Sequence, residues 1–226
     1  MNKTRKETNQ FLQKIKAVKT KHTVIVCPSF TSLDLFSHSL FKSPIKIGAQ
    51  NIFPEEKGAF TGEISPLMLK ELGCEYVLVG HSERRKYFSE TDEFTNKKVL
   101  SAQRHMLIPI LCIGETLVER KRGKTFSVIK KQLVKGLRNA SSHVMVAYEP
   151  IWAIGTGNHA TLPDVLKVHH FMRSFLEKKY GDYIPILYGG SVSPAIIQSY
   201  LSENLIDGVL VGNASLDPDI FLKLIT

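Results

Sequence analysis

Seven short apolar runs, each followed by a turn and then a helix-period segment, constrain the fold of this chain more than anything else in its sequence. They are Thr23–Val26, Ile45–Ala49, Tyr76–Val79, Ile108–Ile113, Val144–Tyr148, Ile184–Tyr188 and Gly208–Val211. All are rich in β-branched residues and apolar at successive rather than alternate positions. That pattern predicts parallel strands covered on both faces. Helices are expected at Lys6–Val18, Ser65–Leu72, Asp92–His105, Leu117–Leu137, Leu162–Lys179 and Pro194–Ser202. Ser65-Pro66, Ser193-Pro194 and Asp217-Pro218 each set a capping residue before a proline at a first helical position. Strands alternating with helices indicate an α/β fold. A polar residue follows most strands: Asn51, His81, Glu115, Glu149, Ser191 and Asn213. A β/α barrel brings its strand C-termini to one mouth, whereas a doubly wound sheet uses fewer of them. The expectation is therefore a single barrel domain over residues 1–226, with seven strands instead of eight and a helix at its start.

Composition narrows the function. The chain has 226 residues and 43% hydrophobic content, enough for a sizeable core. No apolar run approaches the roughly 20 residues that cross a bilayer. Met1–Gln10 is polar and lacks the apolar stretch of a secretory signal. Cys27, Cys74 and Cys112 are odd in number, widely spaced and without metal-ligand spacing, so free thiols in a reducing cytoplasm are expected. The net charge is +9. Its clusters, Lys14 to Lys21 and Lys121 to Lys131, lack interleaved aromatics, so they read as solvated helix faces and not as a nucleic-acid or membrane surface. A basic field also draws in small anions.

The chemistry concentrates at strand ends. Glu149 closes the Val144–Tyr148 run, and Pro150 stops it. The apolar tip Ile151-Trp152-Ala153-Ile154 follows, then Gly155-Thr156-Gly157. An apolar loop beside a lone carboxylate suggests a lid that keeps water from a base. The plainer alternative is a packed turn after a core strand. His81 stands at another strand exit, before Ser82-Glu83-Arg84-Arg85. A helix start there would disfavour the imidazolium, and a neutral ring can polarise a carbonyl. A histidine that only tidies a loop, beside a surface ion-pair cluster, remains the competing reading. Tyr188-Gly189-Gly190-Ser191-Val192 and Val211-Gly212-Asn213-Ala214-Ser215 are turns whose backbone N–H groups could cradle a phosphate, with Gly155. The long loop Gln50–Glu63 carries Phe53 and Phe60, which are costly to leave in water, so a partner-docking arm is expected in preference to a disordered excursion.

Taken together, Ala147–Gly157, Gly80–Arg85, Tyr188–Val192 and the Ala49–Glu63 loop resemble the triosephosphate isomerase family along essentially the whole chain. The resemblance implies a (β/α)8 barrel that interconverts dihydroxyacetone phosphate and glyceraldehyde 3-phosphate without cofactor or metal. It implies Glu149 as base, His81 as electrophile, and Ser82 and Glu83 in support. Phosphate contacts would come from Gly155, Ser191, Gly212 and Asn213, and the lid would span Ile151, Trp152, Ala153, Ile154 and Thr156. A homodimer is implied, with Phe60, Thr61 and Glu63 in its interface. Two departures stand out. Asn213 occupies a position where the family usually has glycine. Met1-Asn2 matches only the end of the family's Asn-Trp-Lys-Met-Asn motif, so the first strand and its lysine are expected upstream, and Lys3 lies too far along to replace it. The alternative reading is an impaired or non-catalytic phosphate-binding relative.

Overall fold

In a computed structural model, which describes residues 1–154 and 160–226, strands and helices alternate. The order begins α1 (Arg5–Ile15), β1 (Ile25–Val26), α2 (Phe30–Ser39), β2 (Lys46–Ala49), α3 (Pro66–Glu71) and β3 (Tyr76–Val79). It continues α4 (Ser82–Tyr87), α5 (Asp92–Arg104), β4 (Ile108–Ile113), α6 (Leu117–Lys121), α7 (Thr125–Gly136) and β5 (Met145–Tyr148). It ends α8 (Leu162–Tyr180), β6 (Ile186–Tyr188), α9 (Ile197–Leu201), β7 (Gly208–Val209) and α10 (Pro218–Ile225).

The strands form one parallel sheet in chain order, β1 through β7. Its longest ladders join β4 to both neighbours, with Tyr76 to Val79 opposite Ile108 to Leu111, and Ile110 to Ile113 opposite Met145 to Tyr148. The sheet curls. One face packs on the helices through a large core that includes Val77, Leu111, Ile129, Leu133, Val146 and Met172. On the other face Ile110, Cys112, Ala147 and Leu187 make a separate cluster. Ile25 of β1, Tyr76 of β3 and Leu210, just past β7, pack against that same small cluster. Residues from one end of a seven-stranded sheet to the other reach a common cluster only if the sheet bends round on itself. Among the described residues the architecture is thus a β/α barrel with seven strands.

Among the described residues β1 and β7 pair only with β2 and β6, so they are the sheet's edges. Outside them the helical layer is continuous. Phe11 of α1 packs on Phe221 of α10 at 5.5 Å, Lys14 pairs with Asp219 at 2.7 Å, and the Thr20 hydroxyl donates to the Ile225 carbonyl at 2.6 Å.

Local signals explain most boundaries. Ser65 accepts the Met68 N–H, Asp217 accepts those of Asp219 and Ile220, and both precede a proline in the first helical turn. Ser193-Pro194 fails as a helix start. Its residues form a turn in which the Ser193 carbonyl accepts the Ile196 and Ile197 N–H groups, and α9 begins only at Ile197. The expected helix Leu117–Leu137 is two helices, because Gly123 takes a left-handed φ of 66° between them. α2, over Phe30–Ser39, was not among the expected helices. Its Ser29 makes no side-chain cap, and its polar residues blur the apolar stripe.

Candidate active site

Glu149 follows β5 directly and is 2% exposed. Its N–H donates to the Ile113 carbonyl at 2.7 Å, continuing the β4–β5 ladder one residue past the strand. Oε2 accepts the Ser82 N–H at 2.9 Å, and Oε1 lies 2.9 Å from Nε2 of His81. The carboxylate is thus held where the C-terminal ends of β3 and β5 meet. Two glycines allow it. A Cβ at Gly114 would sit 1.7 Å from the Glu149 carbonyl oxygen, and one at Gly189 would sit 2.9 Å from its Cγ.

His81 caps α4. Its Nδ1 accepts the Glu83 N–H at 3.3 Å, so the proton of the neutral ring belongs on Nε2, facing Glu149. Burial favours the neutral ring, but the hydrogen bond and charge of Glu149 outweigh it and raise the His81 pKa above its ordinary value. From sequence, the helix start is expected to set the charge of this ring. In the structure α4 is a single short helix, whereas a carboxylate sits in direct contact, and the nearer charge wins. Ser82 is buried and contributes its backbone N–H, and Glu83 is exposed with its Oε2 3.8 Å from His81 Nδ1. The neighbouring arginines are not a loose surface cluster. Arg84 pairs with buried Glu90 at 2.6 Å, and Arg85 bonds Asp92 at 2.7 Å and the carbonyls of Gly80 and Cys112.

The other half of the mouth is more open. Ser191 donates from its hydroxyl to the Ala153 carbonyl at 2.9 Å, joining the β6 turn to the segment after Glu149. Gly212 and Asn213 are exposed, and Asn213 opens a short 3-10 turn to Ser215. Ile151–Ala153 form another 3-10 turn, with Ala153 buried and Ile151, Trp152 and Ile154 half-buried. Gly155 and Thr156 lie outside the described residues.

The long loop after β2 is docked on its own barrel. Phe53 packs on Phe60 at 4.3 Å and on Phe94 at 5.9 Å, and Ser101 donates to the Pro54 carbonyl. Phe60 stays 42% exposed, and Thr61 and Glu63 are exposed beside it. Glu63, Arg84, Phe88, Glu90 and Phe94 line a cleft of about 290 Å³.

Lys98 is fully buried and is not among the residues that sequence motifs single out. Its ammonium bonds Asn51 Oδ1 at 2.7 Å and the Glu90 carboxylate. One signal was available: Lys98 falls on the buried stripe of α5 with Thr95, Val99 and Ala102. A lysine there must find a buried partner. All three cysteines are free, with Cys74 and Cys112 buried. Among the described residues no group of His, Cys, Asp and Glu could hold a metal ion, and no helix is long and apolar enough to cross a membrane.

Comparison with known proteins bears on the whole of this arrangement. A family model described as triosephosphate isomerase matches residues 1–226. A triosephosphate isomerase of Dictyoglomus thermophilum is 48% identical over 237 residues, covering 100% of this chain and 95% of the relative. One of Alkaliphilus metalliredigens is 48% identical over 235 residues, and one of Aquifex aeolicus 45% over 235, each covering 100% of this chain and 95% of the relative.

Proposed function

The chain belongs to the triosephosphate isomerase family, and on that premise we propose that Glu149 and His81 are the reacting groups of its isomerisation. The reaction interconverts dihydroxyacetone phosphate and glyceraldehyde 3-phosphate, a step of glycolysis and gluconeogenesis. Glu149 takes a proton from the carbon beside the substrate carbonyl, and the bonding electrons move onto the carbonyl oxygen to give an enediolate. His81 donates a hydrogen bond from Nε2 to that oxygen. The neighbouring hydroxyl gives its proton to that oxygen and its own oxygen becomes the new carbonyl, while the protonated Glu149 returns the proton to the carbon that bore the first carbonyl. No electrons leave the substrate, so the acid–base pair suffices.

The observation that carries the assignment is the 2.9 Å contact between Glu149 Oε1 and His81 Nε2. A base and an electrophile must face one bound substrate, and these two already face each other. Substrate entering between them removes the carboxylate from the imidazole. Burial, the Glu83 N–H on Nδ1 and the Arg84 charge then favour the neutral ring, opposed only by the exposed Glu83 carboxylate. A neutral electrophile beside a carboxylate base is a pairing for which this family is the standing example. Ser191, Gly212 and Asn213 follow β6 and β7, and we assign them with Gly155 to the phosphate. The Ile151–Ile154 segment, with Thr156, is assigned to shielding the enediolate from water.

Phe60, Thr61 and Glu63 are assigned to a homodimer interface, supported by their exposure on a loop packed on its own barrel through Phe53. A cytoplasmic location and one barrel unit over residues 1–226 complete the proposal. A coupled isomerase assay tests it. Glu149→Asp, which shortens the reach of the carboxylate, is expected to reduce turnover while leaving the affinity for inorganic phosphate unchanged. Weakened phosphate binding with normal turnover would remove Glu149 from its role.

A further inference from the structure

Glu149 is held in place partly by groups that never face the substrate. Glu115, just beyond β4, is fully buried, yet its carboxylate accepts the Tyr148 hydroxyl at 3.1 and 3.2 Å and the indole N–H of Trp152 at 3.0 Å. Tyr148 immediately precedes Glu149, and Trp152 lies just after it. One carboxylate therefore pins the backbone on both sides of Glu149. A carboxylate removed from water needs a counter-charge as well as donors. Arg120, in α6, supplies it, with Nη1 3.6 Å from Glu115 Oε1. The same guanidinium lies 4.4 Å over the Trp152 ring, and its Nη2 bonds Asp164 Oδ2 in the first turn of α8 at 2.9 Å. Only a flat, forked cation can stack on an indole and reach two carboxylates at once.

We propose that Arg120 is a positioning residue for Glu149, stapling the Glu115–Trp152 bracket to the head of α8 through Asp164. The inference rests on the assignment of Glu149 as base. Arg120 touches neither substrate nor reacting atoms. It keeps the 3-10 turn after Glu149 seated, and with it the direction in which the carboxylate points. Glu115 supplies the acceptors, Arg120 the charge and the cover, and Asp164 the anchor on a separate element.

The chain has a single tryptophan, Trp152, so its fluorescence reports the bracket directly. In the whole chain, Arg120→Met is expected to red-shift the emission and raise its quenching by acrylamide. The His81 titration, followed by ring NMR, should fall as Glu149 drifts from the imidazole. Turnover should drop about ten-fold with KM changed less than two-fold. Arg120→Lys, which keeps charge but not the stack, should recover only part of the turnover. Asp164→Asn, at a partly exposed site, should give a smaller loss of about three-fold in a fully folded chain, so the test stands even if Arg120→Met unfolds. Wild-type emission, His81 titration and turnover in Asp164→Asn and in folded Arg120→Met would overturn the proposal. So would a turnover loss explained wholly by the unfolded fraction. A parent chain without isomerase activity would count against the Glu149 assignment instead, and the fluorescence and NMR would still decide on the staple.

Discussion

The two halves of the barrel mouth are built differently. At the ends of β3, β4 and β5 the functional groups are buried side chains with full sets of partners: Glu149 on Ser82 and His81, Glu115 on Tyr148 and Trp152. At the ends of β6 and β7 they are exposed or half-buried, and Gly212 has nothing within 4 Å of where a Cβ would stand. The difference follows from what each half must do. Proton transfer needs a carboxylate fixed to within a fraction of an ångström, which only dense packing and hydrogen bonds provide. A phosphate brings its own charge and oxygens, so its site needs room and donors that face outward.

That contrast can be broken by substitution. The largest effect is expected at Glu149: shortening it to Asp should lower turnover by about 10²–10³-fold, within the range for a displaced general base. Steady-state assay with titration of a phosphate analogue separates turnover from binding. Next is a buried histidine behind the mouth, His169 of α8. Burial pushes its pKa down to about 4, with Nδ1 on the Leu205 carbonyl. A histidine depressed in the folded state contributes stability that is complete above pH 6.5 and is lost as pH falls toward 4. The loss should be on the order of 3 kcal/mol. Urea unfolding from pH 7 to pH 4 should show it, and His169→Gln should flatten it; a profile unchanged by the substitution would contradict the assignment. His81 has the opposite sign. Its raised pKa stabilises the fold at low pH, through the Glu149 contact, and that contribution is lost as pH rises through its folded value.

Smaller effects sharpen the same comparison. Gly114→Ala places a methyl against the Glu149 carbonyl and should cost about 1–3 kcal/mol in thermal or chemical unfolding. Asn213→Ala, on the open half, should change stability by less than about 0.5 kcal/mol. It should still weaken phosphate affinity a few-fold by isothermal titration. Equal stability losses at the two positions would erase the distinction. Thr61→Arg should raise the dimer dissociation constant in light scattering without touching turnover per folded site.

The strands were legible because parallel strands buried on both faces read as continuous apolar runs, and all seven expected runs contain one. The residues at their ends were legible for the same reason, since Glu149 and His81 are the first polar groups after β5 and β3. What escaped was long-range. Nothing near Lys98 in sequence names Asn51 or Glu90 as its partners, and nothing near Arg120 points to Trp152 or Asp164. One two-residue helix signal also misled. Ser193-Pro194 has the composition of a cap, but the backbone there closes a turn before the helix begins.

The central claim is that one carboxylate and one imidazole share a single substrate. Dihydroxyacetone phosphate in D₂O, watched by proton NMR with and without the chain, tests it most directly. The carbon-bound hydrogen beside the carbonyl should exchange for deuterium with the parent chain. Glu149→Gln should abolish that exchange while inorganic phosphate binds as before. Exchange that continues at the parent rate in Glu149→Gln would contradict the account.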